Sequence, residues 1–197
     1  MLAFAAALGV IAGVVVALAR PRAAPKLALP LFHGQAVWGP DRRAAPAFEL
    51  RDSSGASVAL SGQRGRPILL AFLDTRGHDT AAREGRLVAG VQQALGSAAL
   101  PAFDIISLAP ALDTARRVAE TASSLGFRRG SYHWLVGPRA ALAELLRQFG
   151  IGVAGRAGSS VAIYLIDARG FERVGYLFPF QPYAVARDVR TLQSEAP

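Results

Sequence analysis

Three polar residues that could do chemistry lie together after an apolar run, Ile68 to Leu73. His78 stands between Asp74 and Asp79 in the stretch DTRGHDT. An imidazole and two carboxylates could form a metal site, and a histidine oriented by a carboxylate could act as a general base. The alternative is a solvent-exposed loop in which Asp79 or Thr80 caps the following helix. We favour the loop, because one imidazole and two flexible carboxylates are sparse for a dedicated metal site.

The sequence contains no cysteine. Thiol catalysis, disulfide bonds and metal sites built on thiolates are therefore excluded. The sequence also lacks a glycine-rich phosphate loop and an HExxH motif. Of the other two histidines, we interpret His33 as an ordinary loop residue and His133 as a packing residue of a strand. We predict no catalytic residue and no cofactor, and we do not expect an enzyme.

Apolar patterns predict the elements that must position this loop. RPILLAFL, residues 66–73, indicates a central strand buried on both faces. Apolar residues at helical spacing predict a helix from Thr80 to Leu95. The other predicted elements are a hairpin of AFEL and SVAL, strands at 103–110 and in YHWLVG, helices at 114–125, 139–149 and 185–192, and a hairpin at 161–178. This order predicts an α/β fold, a thioredoxin-like sheet flanked by helices, in which parallel strands are closed by an antiparallel pair.

The N-terminal run from Leu2 to Ala19 carries no charge. As a helix it would cover about 27 Å, which is close to the hydrocarbon thickness of a bilayer. A cleavable signal peptide ending in ALA at 17–19 is the rival interpretation. We favour an uncleaved transmembrane anchor over residues 1–19, because the run is long and no basic segment precedes it. Residues 20–45, rich in proline and alanine, are predicted to be a linker, and residues 46–197 the globular domain.

The charge of the chain favours some partners over others. It has 22 basic and 14 acidic residues, giving +8. The arginines are dispersed in the sequence, so we do not expect a nucleic-acid partner. Anionic lipid headgroups or an acidic protein face suit the arginines better. The aromatic segment YLFPFQPY, residues 176–183, is either an exposed contact surface or a cover for the sheet edge.

Several motifs, in order, resemble the Sco/SenC family over residues 46–192. PAFELRDSSGASVALSGQRGRPILLAFLDT is similar to the family's opening hairpin and first buried strand. ISLAPALDTAR resembles its S-V-D-P-x-x-D-T segment, YHWLVG its W-H-F-L-T-G-like strand, and AIYLIDARG its strand ending in L-I-D-x-x-G. The resemblance implies a membrane-anchored thioredoxin-fold domain of the kind that serves copper-site assembly in cytochrome c oxidase.

The resemblance breaks at the positions that carry the family's chemistry. That family has a T-x-C-P-x-x-x-C type loop and a histidine ahead of the L-I-D strand. Gly77 and Ala81 stand where the resemblance puts the two cysteines, and Ser159 stands at the histidine position. Glycine and alanine offer no donor atom, and a serine hydroxyl is a poor copper ligand. In the S-V-D-P segment Ala109 replaces the aspartate, while Asp113-Thr114 matches the family's D-T and is expected to cap the next helix.

These observations predict a non-catalytic subunit or assembly factor of a respiratory or related electron-transfer membrane complex, such as cytochrome oxidase. The alternative is a copper-handling chaperone with a rebuilt site near His78. Charges after the apolar run, at Arg20, Arg22 and Lys26, favour a cytoplasmic domain by the positive-inside rule. The resemblance instead implies an outward-facing domain. We follow the resemblance and expect a single-pass protein of a bacterial-type cytoplasmic membrane, in contact with the lipid bilayer, with its domain on the periplasmic side.

Overall fold

The sheet of this protein is built around the most apolar runs of its sequence. The computed structural model describes residues 31–76, 79–96, 101–151 and 161–195. The strands are β1 Ala36–Val37, β2 Glu49–Asp52, β3 Ser57–Ala59, β4 Ile68–Leu73, β5 Ala102–Ser107, β6 His133–Val136, β7 Val161–Ile166 and β8 Glu172–Leu177. The helices are α1 Asp79–Leu95, α2 Ala115–Leu125, α3 Arg139–Gln148 and α4 Pro182–Ser194, and a 3-10 helix covers Leu60–Gln63.

The eight strands form one mixed sheet in the order β1-β8-β7-β4-β5-β6-β2-β3. β5 pairs in parallel with β4 and with β6. The remaining pairs are antiparallel. Every residue of β4 and β5 is buried, because both strands lie inside the sheet with helices packed on it. The predicted α/β sheet flanked by helices, closed by an antiparallel hairpin, is confirmed.

The two faces of the sheet carry separate apolar cores. Alternate residues of a strand point to opposite faces. Leu69 and Ala71 of β4 belong to the core that α1, α2 and α4 cover. Leu70 and Phe72 belong to the opposite core, which contains the buried leucines of α3. The sheet is therefore a middle layer between helices. Polar loops reach solvent at the ends of its strands.

The ends of α2 follow the predicted signals. The Thr114 side chain accepts a hydrogen bond from the backbone N–H of Arg117, which satisfies one of the open donors of the first turn. Gly126 ends the helix with a φ of 87°, and its N–H donates to carbonyls of the last turn. That left-handed backbone favours glycine, which has no Cβ to clash.

Residues 31–45 lie within the predicted linker, yet much of this segment packs against the sheet. Ala36 and Val37 pair with Gly175 and Val174 as strand β1. The Phe32 ring is buried in the core that α1 and α4 cover. The folded unit accordingly begins at Leu31 rather than at the predicted residue 46. A short segment carries no local pattern that indicates which distant strand it pairs with. Strand β1 was therefore not predicted from the sequence.

His33 anchors this N-terminal segment to α4. Its backbone N–H donates to Asp188 Oδ2 at 2.8 Å, and its Nδ1 lies 2.6 Å from Asp188 Oδ1. The Tyr176 hydroxyl also donates to Asp188 Oδ2, at 2.5 Å. Asp188 is fully buried, so these contacts replace the water that its carboxylate loses on folding. The interpretation of His33 as an ordinary loop residue is wrong in this respect.

The aromatic segment after β8 mostly covers the core. Phe180 is buried, and its ring stacks on Phe178 at a centroid distance of 5.1 Å. Tyr183 is the exception, with 67% of its surface exposed. Of the two predicted roles, the structure favours the covering one.

No helix within the described ranges is long and apolar enough to cross a membrane. The predicted anchor, residues 1–19, lies outside those ranges. The transmembrane helix therefore stays a prediction from sequence.

Strand β5 carries a buried acid, Asp104. Gln63 Nε2 donates to Asp104 Oδ2 at 2.6 Å, and Asp104 is fully buried. The other oxygens of the pair, Gln63 Oε1 and Asp104 Oδ1, have no hydrogen-bond partner. Burial raises the pKa of Asp104 to about 6, although Gln63, His133 and Arg66 act in the opposite direction. Burial favours the protonated form because an uncharged acid loses less hydration than a carboxylate.

The variant Asp104→Asn is expected to be more stable than the natural chain at neutral pH. The pKa of Asp104 is about 6 when folded and near 3.8 when unfolded, so the folded state holds the proton more tightly. Its stabilising contribution is present below pH 4 and is lost as pH rises through 6. The asparagine keeps a neutral hydrogen-bonding group, so the gain at pH 7 to 8 should reach roughly 2 to 3 kcal/mol.

Urea unfolding of both proteins between pH 4 and pH 8 measures this difference. The difference in the free energy of unfolding between the two proteins should be small at pH 4 and increase as the pH rises. A difference that is independent of pH would show that folding does not raise the pKa of Asp104.

Candidate functional site

The loop after β4 lies at the edge of the sheet where three parallel strands end. β4, β5 and β6 run in one direction. The residues that follow Leu73, Ser107 and Val136 are therefore neighbours at one edge. In open α/β sheets this edge is where ligands bind.

A buried hydrogen-bond network fixes the described part of this loop. Thr75 Oγ1 donates to Asp113 Oδ1 at 2.5 Å, and Trp134 Nε1 donates to Asp113 Oδ2 at 3.2 Å. All three side chains are buried. Arg117 Nη2 adds a hydrogen bond to the Thr75 carbonyl at 3.2 Å. The start of the loop is thus tied to β6 and to the beginning of α2.

Asp113 has a role that the sequence did not indicate. The sequence predicts that Asp113-Thr114 caps α2, and in the structure the Thr114 side chain supplies that cap. Asp113 is instead the shared acceptor for Thr75 and Trp134. A tryptophan in a buried strand needs an acceptor for its indole N–H, and that was the one available signal.

Asp74 is held by the arginine two residues further on. Arg76 Nε lies 2.9 Å from Asp74 Oδ1 and 2.8 Å from Oδ2, and the Arg76 backbone N–H donates to Oδ1 at 2.9 Å. These hydrogen bonds, together with the negative charge of Asp74, raise the pKa of Arg76. Burial, together with the nearby Asp74 charge, raises the pKa of Glu84 on the facing turn of α1. A metal ion at Asp74 would have to displace a bound guanidinium.

The other predicted site residues divide between described and undescribed positions. Gly77, His78 and Ser159 lie outside the described residues, so their predicted roles stay predictions. Ala81 lies on α1 and is half-buried, and the exposed Asp79 is the first residue of that helix. Within the described ranges, no group of three histidine or acidic side chains is arranged to hold a metal ion.

His133 is less buried than a packing residue would be. Its side chain is 41% exposed, and Nδ1 lies 3.4 Å from Asp52 Oδ2 on the neighbouring strand β2. The packing role predicted for His133 is filled instead by the next residue, Trp134, which is buried in the core. His133 lies toward the opposite end of the parallel strands and takes no part in the candidate site.

An apolar groove of about 420 Å³ opens beside the loop, between segment 107–112 and α3. Buried Ala109, Leu142 and Leu146 line its inner part. Exposed Arg76 and Arg139 border it. The described site thus combines a fixed loop, a paired carboxylate and an apolar groove with cationic borders. The hydroxyl of Ser107, which also lines the groove, accepts a hydrogen bond from the Ala109 N–H.

The comparisons with known proteins fit this arrangement. The sequence profile of the SCO1/SenC family matches residues 39–191. This chain belongs to the SCO1/SenC family. A search of curated proteins found no match.

Solved Sco structures share the fold of this family member. Bradyrhizobium japonicum ScoI with copper bound is 23% identical, with a TM-score of 0.61, and the match covers 76% of this chain and 99% of that one. BsSco, described as a member of the Sco family of cytochrome c oxidase assembly proteins, is 17% identical, with a TM-score of 0.69 and coverage of 83% and 98%. Yeast Sco1 is 16% identical, with a TM-score of 0.63 and coverage of 77% and 98%. The predicted thioredoxin-like Sco fold is confirmed.

The donor set of this SCO1/SenC chain does not fit copper in the way the sequence resemblance implies. The sequence resemblance places Gly77, Ala81 and Ser159 at the three ligand positions, and the sequence contains no cysteine that could replace them. Soft thiolates are what hold Cu(I) in such sites. Bradyrhizobium japonicum ScoI was solved with copper bound, and this chain has no thiolate to offer such an ion.

Proposed function

We propose that this SCO1/SenC protein is a non-catalytic, membrane-anchored subunit or assembly factor of a respiratory or related electron-transfer complex. It would act by binding partner proteins through the retained fold, without transferring copper or exchanging thiols. The family membership and the relatives described as cytochrome c oxidase assembly proteins support this setting. Cytochrome oxidase is the first candidate among the host complexes.

One observation carries the proposal. The network of Thr75, Asp113 and Trp134 holds the start of the site loop in place, while the loop's ligand positions carry glycine and alanine. Buried polar networks stabilise one specific arrangement of a chain. A loop held in shape without reactive atoms suits recognition of a partner better than chemistry.

The proposal places the domain on the periplasmic side, on a single anchor formed by residues 1–19. The apolar run is long enough to span a bilayer, and the sequence resemblance implies an outward-facing domain. Anchoring would keep the domain beside a membrane complex, which raises its effective concentration there.

Affinity purification from native membranes tests the proposed function. The full chain, with a C-terminal tag, is extracted in mild detergent, and its partners and copper content are measured together. We expect stoichiometric subunits of an electron-transfer complex and no copper attributable to this chain. A variant lacking residues 2–19 should remain folded but lose the complex, and full assembly without that segment would contradict the proposal.

The same preparation separates the alternative, a copper chaperone with a rebuilt site near His78. That alternative predicts a free protein carrying copper, with binding abolished in His78→Ala. The matched control is His133→Ala, which removes an imidazole at the other end of the strands. Copper lost only in His78→Ala would replace the non-catalytic proposal with the chaperone.

A further inference from the structure

The groove beside the site loop has the shape and charge of a peptide-binding surface. It is lined by segment 107–112 on one side and by α3 on the other. Leu112, on its border, is a large apolar side chain with 44% of its surface exposed to solvent. Large side chains left exposed at a concave apolar surface mark interaction sites more often than chance positions.

The walls of the groove are fixed before any partner arrives. The Leu108 N–H donates to the Leu73 carbonyl at 2.9 Å, which joins the segment to the end of β4. The Ala109 N–H donates to Ser107 Oγ at 3.0 Å, and the Leu112 N–H donates to the Ala109 carbonyl at 2.9 Å. A preformed groove binds a peptide with less loss of conformational entropy than a loop that must order.

Close packing at Gly137 shapes the junction between β6 and α3. A Cβ at this position would lie 2.8 Å from Leu50 Cδ2, so the Leu50 side chain would have to shift to admit a larger residue. This glycine also lines the groove.

The charges around the groove favour an anionic partner. Arg76 and Arg139 line it, and no acidic side chain does so among the described residues. Arg76 is already paired with Asp74, while no ion pair involves Arg139 within the described ranges. Arg139 is also the first residue of α3, whose N-cap residue, Pro138, makes no side-chain hydrogen bond to the first turn. The amino end of a helix carries partial positive charge, which adds to that of Arg139.

We propose that this groove binds an apolar, acidic peptide segment of a partner protein. Leucine-like side chains of that segment would lie against Ala109, Leu142 and Leu146, and a carboxylate would pair with Arg139. This inference rests on the proposed function, because it names the surface by which the protein would contact its complex. Arginine pairs well with carboxylates, which would set the orientation of the bound segment.

Peptide titration of the full chain in nanodiscs tests the groove directly. The probes are three synthetic leucine-rich peptides that differ only in carrying two glutamates, two glutamines or two lysines. Methyl-labelled leucines report binding through the resonances of Leu108, Leu112, Leu142 and Leu146. We expect the glutamate peptide to bind at least tenfold more tightly than the lysine peptide and to shift these resonances.

Two charge reversals supply the matched comparison. Arg139→Glu should weaken the glutamate peptide at least tenfold and favour the lysine peptide. Arg187→Glu makes the same charge reversal at an exposed position of α4, on the other face of the sheet. It should change the affinity for either peptide by less than twofold. Equal affinity for all three peptides would overturn the inference, as would leucine shifts caused by phosphatidylglycerol vesicles but not by peptide.

The purification from native membranes distinguishes this inference from the proposed function. Leu112→Glu and Arg139→Glu, introduced into the tagged chain, should release the complex if the groove is the contact. A complex retained by both variants would reject the groove and leave the subunit role standing. Peptide binding by a chain that carries no complex would reject the subunit role instead.

Discussion

A variant carrying Gly77→Cys, Ala81→Cys and Ser159→His is expected to bind about one Cu(I) per chain, whereas the natural chain binds none. The sequence resemblance places these residues at the two thiolate positions and the imidazole position of the family. Thr75, at the start of the loop, is fixed by Asp113, and the fold of the described residues is similar to that of Bradyrhizobium japonicum ScoI. Thiolate ligands favour Cu(I) strongly, so the change is from no binding to stoichiometric binding.

Titration of the purified full chain with Cu(I), in competition with a chromophoric chelator, measures this gain. The control is Gly77→Ser with Ala81→Ser, which adds side chains of similar size without soft donors. The natural chain and the serine variant should leave the chelator saturated. If the cysteine and histidine variant does the same while folded, these positions do not correspond to the family's ligand site.

Replacing Asp113 with alanine is expected to lower the free energy of unfolding by roughly 2 to 5 kcal/mol. The substitution leaves two buried donors, the Thr75 hydroxyl and the Trp134 indole N–H, without their acceptor. Each unsatisfied buried group costs about 1 to 3 kcal/mol. The loop after β4 should also become more mobile, because its link to β6 is gone.

Urea unfolding measures the decrease in the free energy of unfolding, and near-ultraviolet circular dichroism reports on the surroundings of Trp134. The neighbouring variant Thr114→Ala removes only the cap of α2 and should cost about 1 kcal/mol. A loss in Asp113→Ala no larger than that of Thr114→Ala would mean that the buried network contributes little. The same result would weaken the argument that the site loop is held in shape for a partner.

Local patterns in the sequence were sufficient for most of the secondary structure. The continuous run at 68–73 became the buried strand β4, and helical spacing at 80–95 became α1. These predictions succeed because burial on both faces, or on one helical stripe, imposes a period on the residues themselves. The order of strands and helices then restricts the sheet to few topologies.

For the candidate site, the sequence indicated where the loop lies but not how its polar groups pair. The position of the loop after β4 follows from the element order, and the absence of thiolates follows from composition. The pairing of Asp74 with Arg76 was not foreseen, although the two residues are close in sequence. A side chain's partner depends on which neighbours the fold leaves within reach, and the sequence also places Asp79 and Glu84 near that arginine.

The sequence by itself determined the α/β class, the family resemblance and the loss of every copper-binding thiolate, because these depend on residue type and local spacing. The tertiary structure decided which polar groups meet. Thr75 and Asp113 are separated by 38 positions, and His33 and Asp188 by 155. Such pairs, and the groove between segment 107–112 and α3, form only when the path of the chain brings distant elements together, and no local period encodes that path.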